Sequence, residues 1–161
     1  MVTITIRLLQ KIDNEGIAKV IRGVLIEHNV PKVGTAYADP QLDYMYEAYS
    51  IPRAAYFVIE RDNKIIGGAG VSQLENESSS ICELQKMYFL SEARGLGLGK
   101  QMMERCLQSA TEFGYQKCYL ETMPYMINAQ KLYQKSGFEY IDKPMGNTGH
   151  TSCPVWMIKV L

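Results

Sequence analysis

A glycine-rich segment at residues 94–100 carries the strongest chemical signal in the sequence. It reads Arg-Gly-Leu-Gly-Leu-Gly-Lys, follows an apolar stretch typical of a strand and precedes a long helical pattern. Glycines expose backbone N–H groups without a Cβ in the way, and the first turn of a helix leaves its N–H groups unpaired. The helix dipole and two basic side chains add positive charge. The segment therefore predicts an anion site suited to a phosphate.

The spacing of this segment excludes two common phosphate motifs. A Walker loop requires Ser or Thr after Gly-Lys, whereas Gln101 follows Lys100 here. A dinucleotide fingerprint requires Gly-x-Gly-x-x-Gly, whereas these glycines alternate at every second residue. The pattern that remains is Arg94-x-x-Gly97-x-Gly99.

Composition narrows the class of protein that carries this loop. The chain has 161 residues, 47% of them hydrophobic, which predicts a single domain over residues 1–161. Seventeen basic residues balance seventeen acidic ones and form no basic cluster, so we expect no nucleic-acid partner. The sequence shows no secretory leader and no apolar run of membrane-spanning length, so we expect a cytoplasmic protein without a membrane partner.

The cysteine and histidine content argues against a metal site. Cys82, Cys106, Cys118 and Cys153 lie far apart and form no Cys-x-x-Cys pair. Buried, uncharged thiols are the expectation for Cys106 and Cys118. With only two histidines in the chain, we expect no bound metal.

Hydrophobic periodicity predicts how the loop is positioned. The order is strand, two helices, three strands, helix, strand, helix and two strands, which is an α/β chain with a mixed sheet. Asp13 is expected to begin the first helix, and Asp39-Pro40 a second helix that ends before Pro52. Glycines at 67, 68 and 70 weaken the second of the three central strands, so we expect a close approach to its backbone.

Two sequence blocks resemble a known family. The first is Cys82-Glu-Leu-Gln-Lys-Met-Tyr-Phe followed by the glycine loop, and the second is Asn128-Ala-Gln-Lys-Leu-Tyr-Gln-Lys-Ser-Gly-Phe. Together, and in this order, they resemble the cofactor blocks of the GNAT acetyltransferases. The closing segment 146–159 is similar to that of a bacterial subgroup whose members mostly lack an assigned acceptor. The resemblance implies the GNAT fold, with about seven strands and about four helices.

The same resemblance implies acetyl-coenzyme A (acetyl-CoA) as the acyl donor. The strand at 87–89 would pair with the pantetheine arm, the loop would hold the pyrophosphate, and the next helix would add an asparagine. A bulge in that strand is expected where the sheet opens to admit the arm. The residues implied in cofactor contact are Met87, Tyr88, Phe89, Arg94, Gly95, Leu96, Gly97, Leu98, Gly99, Lys100 and Asn128.

Acetyl transfer to an amine needs a base for the amine and an acid for the leaving thiolate. The resemblance places Glu83 as the base and Tyr133 as the acid, and Glu121 on the neighbouring strand is the rival base. Strand alternation puts Glu83, Gln85 and Met87 on one face and Lys86 on the other.

The acceptor is expected to lie near residues 28–50 and the C-terminal loop. Tyr37, Tyr46, Glu121 and His150 are the candidate substrate residues, because rings and carboxylates suit a cationic amine. The sequence thus predicts direct acetyl transfer to the primary amine of a small molecule. Two alternatives stay open, namely acetylation of a protein or peptide, and a module that binds acyl-CoA without turnover. The resemblance also allows a homodimer.

Overall fold

The computed structural model describes residues 1–161 and contains one seven-stranded mixed sheet in the order β1-β2-β3-β4-β5-β7-β6. Its strands are β1 (Ile4–Leu8), β2 (Ala55–Arg61), β3 (Lys64–Gln73), β4 (Ile81–Phe89), β5 (Lys117–Thr122), β6 (Glu139–Ile141) and β7 (Val155–Val160). Its α-helices are α1 (Asn14–Glu27), α2 (Met45–Ala48), α3 (Leu98–Glu112) and α4 (Ile127–Lys135). The predicted sheet and the four helices are confirmed. No helix has the length and apolar content that crossing a membrane requires.

The sheet opens between β4 and β5, its one parallel pair. These strands pair only where Ile81–Glu83 face Lys117–Tyr119, and beyond that point β4 continues without a partner on this side. Between the Gly70–Gln85 and Gly68–Tyr88 pairs, β4 contains one residue more than β3. Lys86 lies in this bulge with a φ of 50°. The predicted bulge is therefore present.

The glycines of β3 make room for a buried tyrosine that fixes the bulge. A Cβ on Gly68 would lie 2.6 Å from the ring of Tyr56, and one on Gly70 would lie equally close. With those Cβ atoms absent, Tyr56 crosses β3 and its hydroxyl donates a 2.7 Å hydrogen bond to the Lys86 carbonyl. The predicted close approach to this strand is thus the Tyr56 ring.

The bulge changes which β4 side chains share a face, so the simple alternation expected from the sequence is wrong. Leu84, Met87 and Phe89 pack on the α3 side of the sheet. Tyr88 packs on the α1 side. Because the extra residue reverses the alternation, Met87 does not lie on the face of Glu83, and Lys86 is turned into the cavity that Glu83 lines.

The segment after Asp39 also differs from the expected continuous helix. A 3₁₀ turn over Pro40–Asp43 ends at Tyr44, whose φ of −133° interrupts the helix before α2. Asp39 caps the first turn as predicted, because its carboxylate accepts a hydrogen bond from the Gln41 N–H. Leu42 and Met45 are both fully buried, and the interruption lets both reach the core against α1.

Candidate active site

Three cavities that share lining residues lie along β4. The loop cleft, about 380 Å³, lies between β4, the glycine loop and α4. The vestibule, about 620 Å³, lies beneath residues 34–41 and the C-terminal loop. The junction, about 50 Å³, lies between β4 and β5 and shares Tyr133 with the cleft and Glu83 with the vestibule. The junction therefore adjoins both larger cavities.

The loop cleft brings together most of the residues predicted to contact the cofactor. Leu96 and Lys100 are exposed and lie outside its lining. His28, at the end of α1, lines the cleft without having been predicted to do so. The predicted residues that do line it are Met87, Tyr88, Phe89, Arg94, Gly95, Gly97, Leu98, Gly99 and Asn128.

The glycine loop presents unpaired backbone N–H groups to this cleft. Gly95 and Gly97 have φ values of 75° and 74°, which glycine adopts without strain. No loop or side-chain acceptor takes the N–H groups of residues 95–97. Those of residues 98–100 form the first turn of α3, where a helix has no acceptor of its own. This geometry suits an anionic group at the helix N-terminus.

Arg94, which lines the cleft, is bound to acceptors of the chain. Its guanidinium donates to both oxygens of Glu27 at 2.6 and 2.9 Å and to the Phe89 carbonyl at 2.8 and 3.1 Å. The side chain thus ties the glycine loop to α1 and to the end of β4. Its contact with the cofactor stays a prediction.

Glu83 is a buried carboxylate held by a short hydrogen-bond chain. It is 5% exposed, and the Gln85 amide nitrogen donates to its Oε1 at 2.6 Å. The Tyr49 hydroxyl donates in turn to the Gln85 carbonyl oxygen at 2.5 Å, which fixes the orientation of that amide. Burial raises the pKa of Glu83 to about 7, and the Gln85 hydrogen bond opposes that rise. A carboxylate with this pKa can accept a proton near neutral pH.

Glu121, the rival base, is already engaged through both of its oxygens. The Tyr119 hydroxyl donates to Oε2 at 2.6 Å, and the Thr148 hydroxyl donates to Oε1. Burial raises the pKa of Glu121, while these two hydrogen bonds lower it. Because both oxygens accept bonds from the chain, Glu121 is better placed to hold the C-terminal loop than to take a proton.

His150 completes a compact group of titratable side chains. One carboxylate oxygen from Glu83, one from Glu121 and one imidazole nitrogen from His150 all lie within 4.8 Å of one another. Burial lowers the pKa of His150, so the imidazole is neutral at pH 7. The sequence spacing of cysteines and histidines gave no sign of this group, because its members come from β4, β5 and a loop.

Tyr133 lies where the loop cleft meets the junction. Its ring is buried edge-on against Phe138, with ring centroids 6.1 Å apart, and its hydroxyl makes no hydrogen bond within the chain. Burial raises the pKa of Tyr133 to about 12. The hydroxyl is thus protonated and free to donate to a group in the cleft.

Burial raises the pKa of three cysteines, Cys106, Cys118 and Cys153, so these are neutral thiols. Cys106 and Cys118 are buried, as predicted. Cys153 lines the junction, and burial raises its pKa to about 12. A thiol with that pKa holds its proton at neutral pH, so Cys153 is not an activated nucleophile.

The structure does not place the predicted tyrosines in the vestibule. Tyr46 is exposed on the outer side of α2, and Tyr37 lies outside the lining of both the vestibule and the junction, with Lys32 over its ring. Glu121 and His150 line the junction, as expected of substrate residues. Asp39 and Lys86 also line the vestibule. Sequence reasoning missed Lys86, because its position depends on the bulge, and it predicted Asp39 only as a helix cap.

Comparison with known proteins agrees with this architecture. The sequence profile of the acetyltransferase (GNAT) family matches residues 24–138, which is more than half of the chain. The chain belongs to the GNAT acetyltransferase family. This acetyltransferase is 45% identical to YjgM of Escherichia coli, an uncharacterized N-acetyltransferase, over 92% of its own length and 90% of that protein.

Solved structures show how widely the fold of this acetyltransferase is shared. A GNAT acetyltransferase from Staphylococcus aureus superposes with a TM-score of 0.87 at 21% identity and covers 99% of both chains. The yncA protein of Salmonella typhimurium, solved with its cofactor acetyl-CoA, superposes at 0.75 with 18% identity over 99% of this chain and 94% of its own. At these identities the likeness concerns the fold. Family membership makes the protein an N-acetyltransferase that uses acetyl-CoA.

Proposed function

We propose that this enzyme transfers the acetyl group of acetyl-CoA directly to a primary amine of a small molecule. The observation that supports the proposal is the position of Glu83 and Tyr133 on one junction. That junction adjoins both the cleft, which the glycine loop lines, and a mostly polar vestibule. Donor and acceptor thus approach the junction from opposite ends.

The cleft fits the donor in charge and in shape. The backbone N–H groups of the glycine loop offer hydrogen bonds to a pyrophosphate, and α3 adds the positive end of its dipole. A Cβ on Gly99 would meet the Leu132 side chain at 3.2 Å and narrow the cleft. When bound, acetyl-CoA supplies an activated thioester. The unpaired part of β4 would hold its arm alongside the backbone of residues 87–89.

Glu83 is assigned to remove a proton from the acceptor amine. An alkyl amine with a pKa near 10.4 is almost wholly protonated at pH 7, and only the neutral form attacks a thioester. Gln85 occupies Oε1 of Glu83, which leaves Oε2 available on the same carboxylate. A pKa of about 7 makes Glu83 basic enough to take the proton and still acidic enough to lose it to water at neutral pH before the next turnover.

Tyr133 is assigned to protonate the leaving thiolate. Its pKa of about 12 lies above the ordinary thiol value of about 8.5. Burial also disfavours a thiolate formed beside Tyr133, so it raises the pKa of the leaving thiol as well. The difference between the tyrosine and thiol pKa values is thereby narrowed. The hydroxyl has no competing partner in the chain, so a thiolate in the cleft can be its first acceptor.

An acceptor panel tests the proposed function. Purified enzyme is incubated with acetyl-CoA and either small primary amines or unstructured peptides with free N-termini and lysines, and release of the coenzyme A thiol is measured. We expect turnover with at least one small amine and little with peptides, because residues 34–41 and the C-terminal loop both border the vestibule. Turnover confined to peptides would contradict the small-molecule assignment. Binding of acetyl-CoA without turnover of any acceptor would contradict the enzyme mechanism.

Arg94→Glu is expected to weaken coenzyme A binding about 10- to 100-fold, as measured by calorimetry. The change breaks the tie to Glu27 and to the Phe89 carbonyl, and it puts a negative charge beside the expected phosphates. Glu27→Gln is the matched control, because it removes the ion pair but leaves Arg94 bound to the Phe89 carbonyl. We expect that control to change affinity less than threefold. Unchanged affinity in Arg94→Glu would refute the assignment of the loop to the phosphates.

A further inference from the structure

The vestibule contains a lysine whose backbone conformation is unusual for its type. Lys86 has a φ of 50°, in the left-handed region that residues other than glycine seldom adopt. The conformation is held by the fully buried hydroxyl of Tyr56, which donates to the Lys86 carbonyl at 2.7 Å. Strained residues of this kind concentrate at functional sites. Here the strain turns an ammonium group toward the acceptor cavity.

The ammonium group of Lys86 has a single ion-pair partner in the chain. The side chain is 3% exposed, and Nζ lies 3.1 Å from Oδ2 of Asp39. An ammonium group has three N–H donors, so Lys86 can also donate to water or to a ligand in the vestibule that it lines. A ligand that brings its own acceptors can replace that water.

We infer that Lys86 binds a carboxylate of the acceptor, so that the acceptor is an amino acid or a similar amino-carboxylate. This inference rests on the proposed function, because it places the amine at Glu83 and the carboxylate at Lys86. Both side chains line the vestibule and the junction, and they lie three positions apart across the bulge. A carboxylate would accept the unused N–H groups and form charge-assisted hydrogen bonds.

The remaining charges in the vestibule suit an acceptor with both signs of charge. Asp39 balances Lys86, and its Oδ1 is held by the Gln41 N–H, so it cannot fold over the ammonium group completely. His150 is neutral, because burial lowers its pKa. Glu83 faces the amine, and Glu75 lies exposed at the rim. A polycationic amine would bring a second positive charge beside the Lys86 ammonium group, whereas an amino acid brings a carboxylate to Lys86 and an amine to Glu83.

Matched acceptors test this inference. Each set contains an L-amino acid, its carboxamide and its decarboxylated amine with the same side chain, and kcat/KM is measured for each. The wild-type enzyme is expected to prefer the amino acid at least tenfold over both analogues in the sets that it acetylates. Lys86→Gln is expected to lower kcat/KM for the amino acid about 10- to 100-fold, mainly through KM, and to change the values for the analogues less than threefold.

One further variant and one further measurement keep the test independent of folding. Lys86→Arg keeps the charge and should retain at least part of the preference for the amino acid. Coenzyme A affinity of Lys86→Gln should match that of the wild type, because Lys86 lies outside the loop cleft. Equal preference for amino acid and amine in the wild type would overturn the inference while leaving the proposed function intact. An equal loss for all three acceptors in Lys86→Gln would also overturn it, and acetylation of no amine would overturn both.

Discussion

Glu83→Gln is expected to lower kcat/KM for the acceptor by about 10²- to 10⁴-fold, the usual contribution of a general base. Glutamine has nearly the same volume, and its side chain can still meet Gln85, so the site should keep its shape. The substitution removes the Glu83 carboxylate, which lines the junction and combines a free acceptor oxygen with a pKa of about 7. Coenzyme A affinity should stay unchanged, because Glu83 does not line the loop cleft.

The pH profile distinguishes a base from a structural carboxylate. In the wild type kcat/KM should rise with pH through about 7, because only ionised Glu83 accepts a proton. That rise should be absent in Glu83→Gln. Gln85→Leu should move the rise in kcat/KM to higher pH. The Gln85 hydrogen bond lowers the pKa of Glu83 in the wild type, so its removal should raise that pKa.

Glu121→Gln is the matched control for this prediction. In the wild type both Glu121 oxygens accept hydrogen bonds, one from Tyr119 and one from Thr148. The substitution should therefore loosen the C-terminal loop without removing the pH-dependent rise in kcat/KM. If Glu121→Gln abolished the rise and Glu83→Gln retained it, the two carboxylates would have to exchange roles.

Tyr133→Phe is expected to reduce kcat by about 10²-fold or more, within the range for a general acid. The substitution removes a hydroxyl that bonds to nothing in the chain, and it keeps the edge-on contact with Phe138. Stability and acetyl-CoA affinity should therefore change little. Single-turnover kinetics measures the loss in the rate of acetyl transfer, and calorimetry measures the affinity for acetyl-CoA.

Tyr125→Phe serves as the control for that change. Tyr125 lines the same cleft but is exposed, so the loss of its hydroxyl should leave kcat within about twofold of the wild type. A collapse of acetyl-CoA affinity in Tyr133→Phe with kcat retained would make Tyr133 a binding residue. Equal effects at both positions would remove the case for a dedicated acid.

The sequence was most informative where structure depends on neighbouring residues. The glycine loop, the start of α3 and the block from Asn128 to Phe138 are local patterns, and each lies where it was predicted. The three glycines of β3 predicted a close contact with that strand, but they did not indicate which side chain makes it. The subgroup suggested by the closing segment 146–159 stays a prediction.

The sequence was less informative where distant segments meet. Arg94 pairs with Glu27, 67 positions earlier, and no local pattern indicates that pairing, while the contact of Arg94 with the cofactor stays a prediction. Lys86 was assigned to the wrong face, because one extra residue in β4 reverses the alternation. Tyr46 was expected in the acceptor pocket because its ring suits a cationic amine, but it lies exposed on the short helix α2, outside the vestibule.

The short pairing between β4 and β5 fixes where the base stands. Within the sheet these two strands pair only at Ile81–Glu83, which joins β1 to β4 with β5, β7 and β6. Glu83 lies at the last pair of this join, opposite Tyr119 and next to the opening into which acetyl-CoA is proposed to insert. The distance from the Glu83 backbone to β5 is therefore set by the sheet, whether or not the donor is bound.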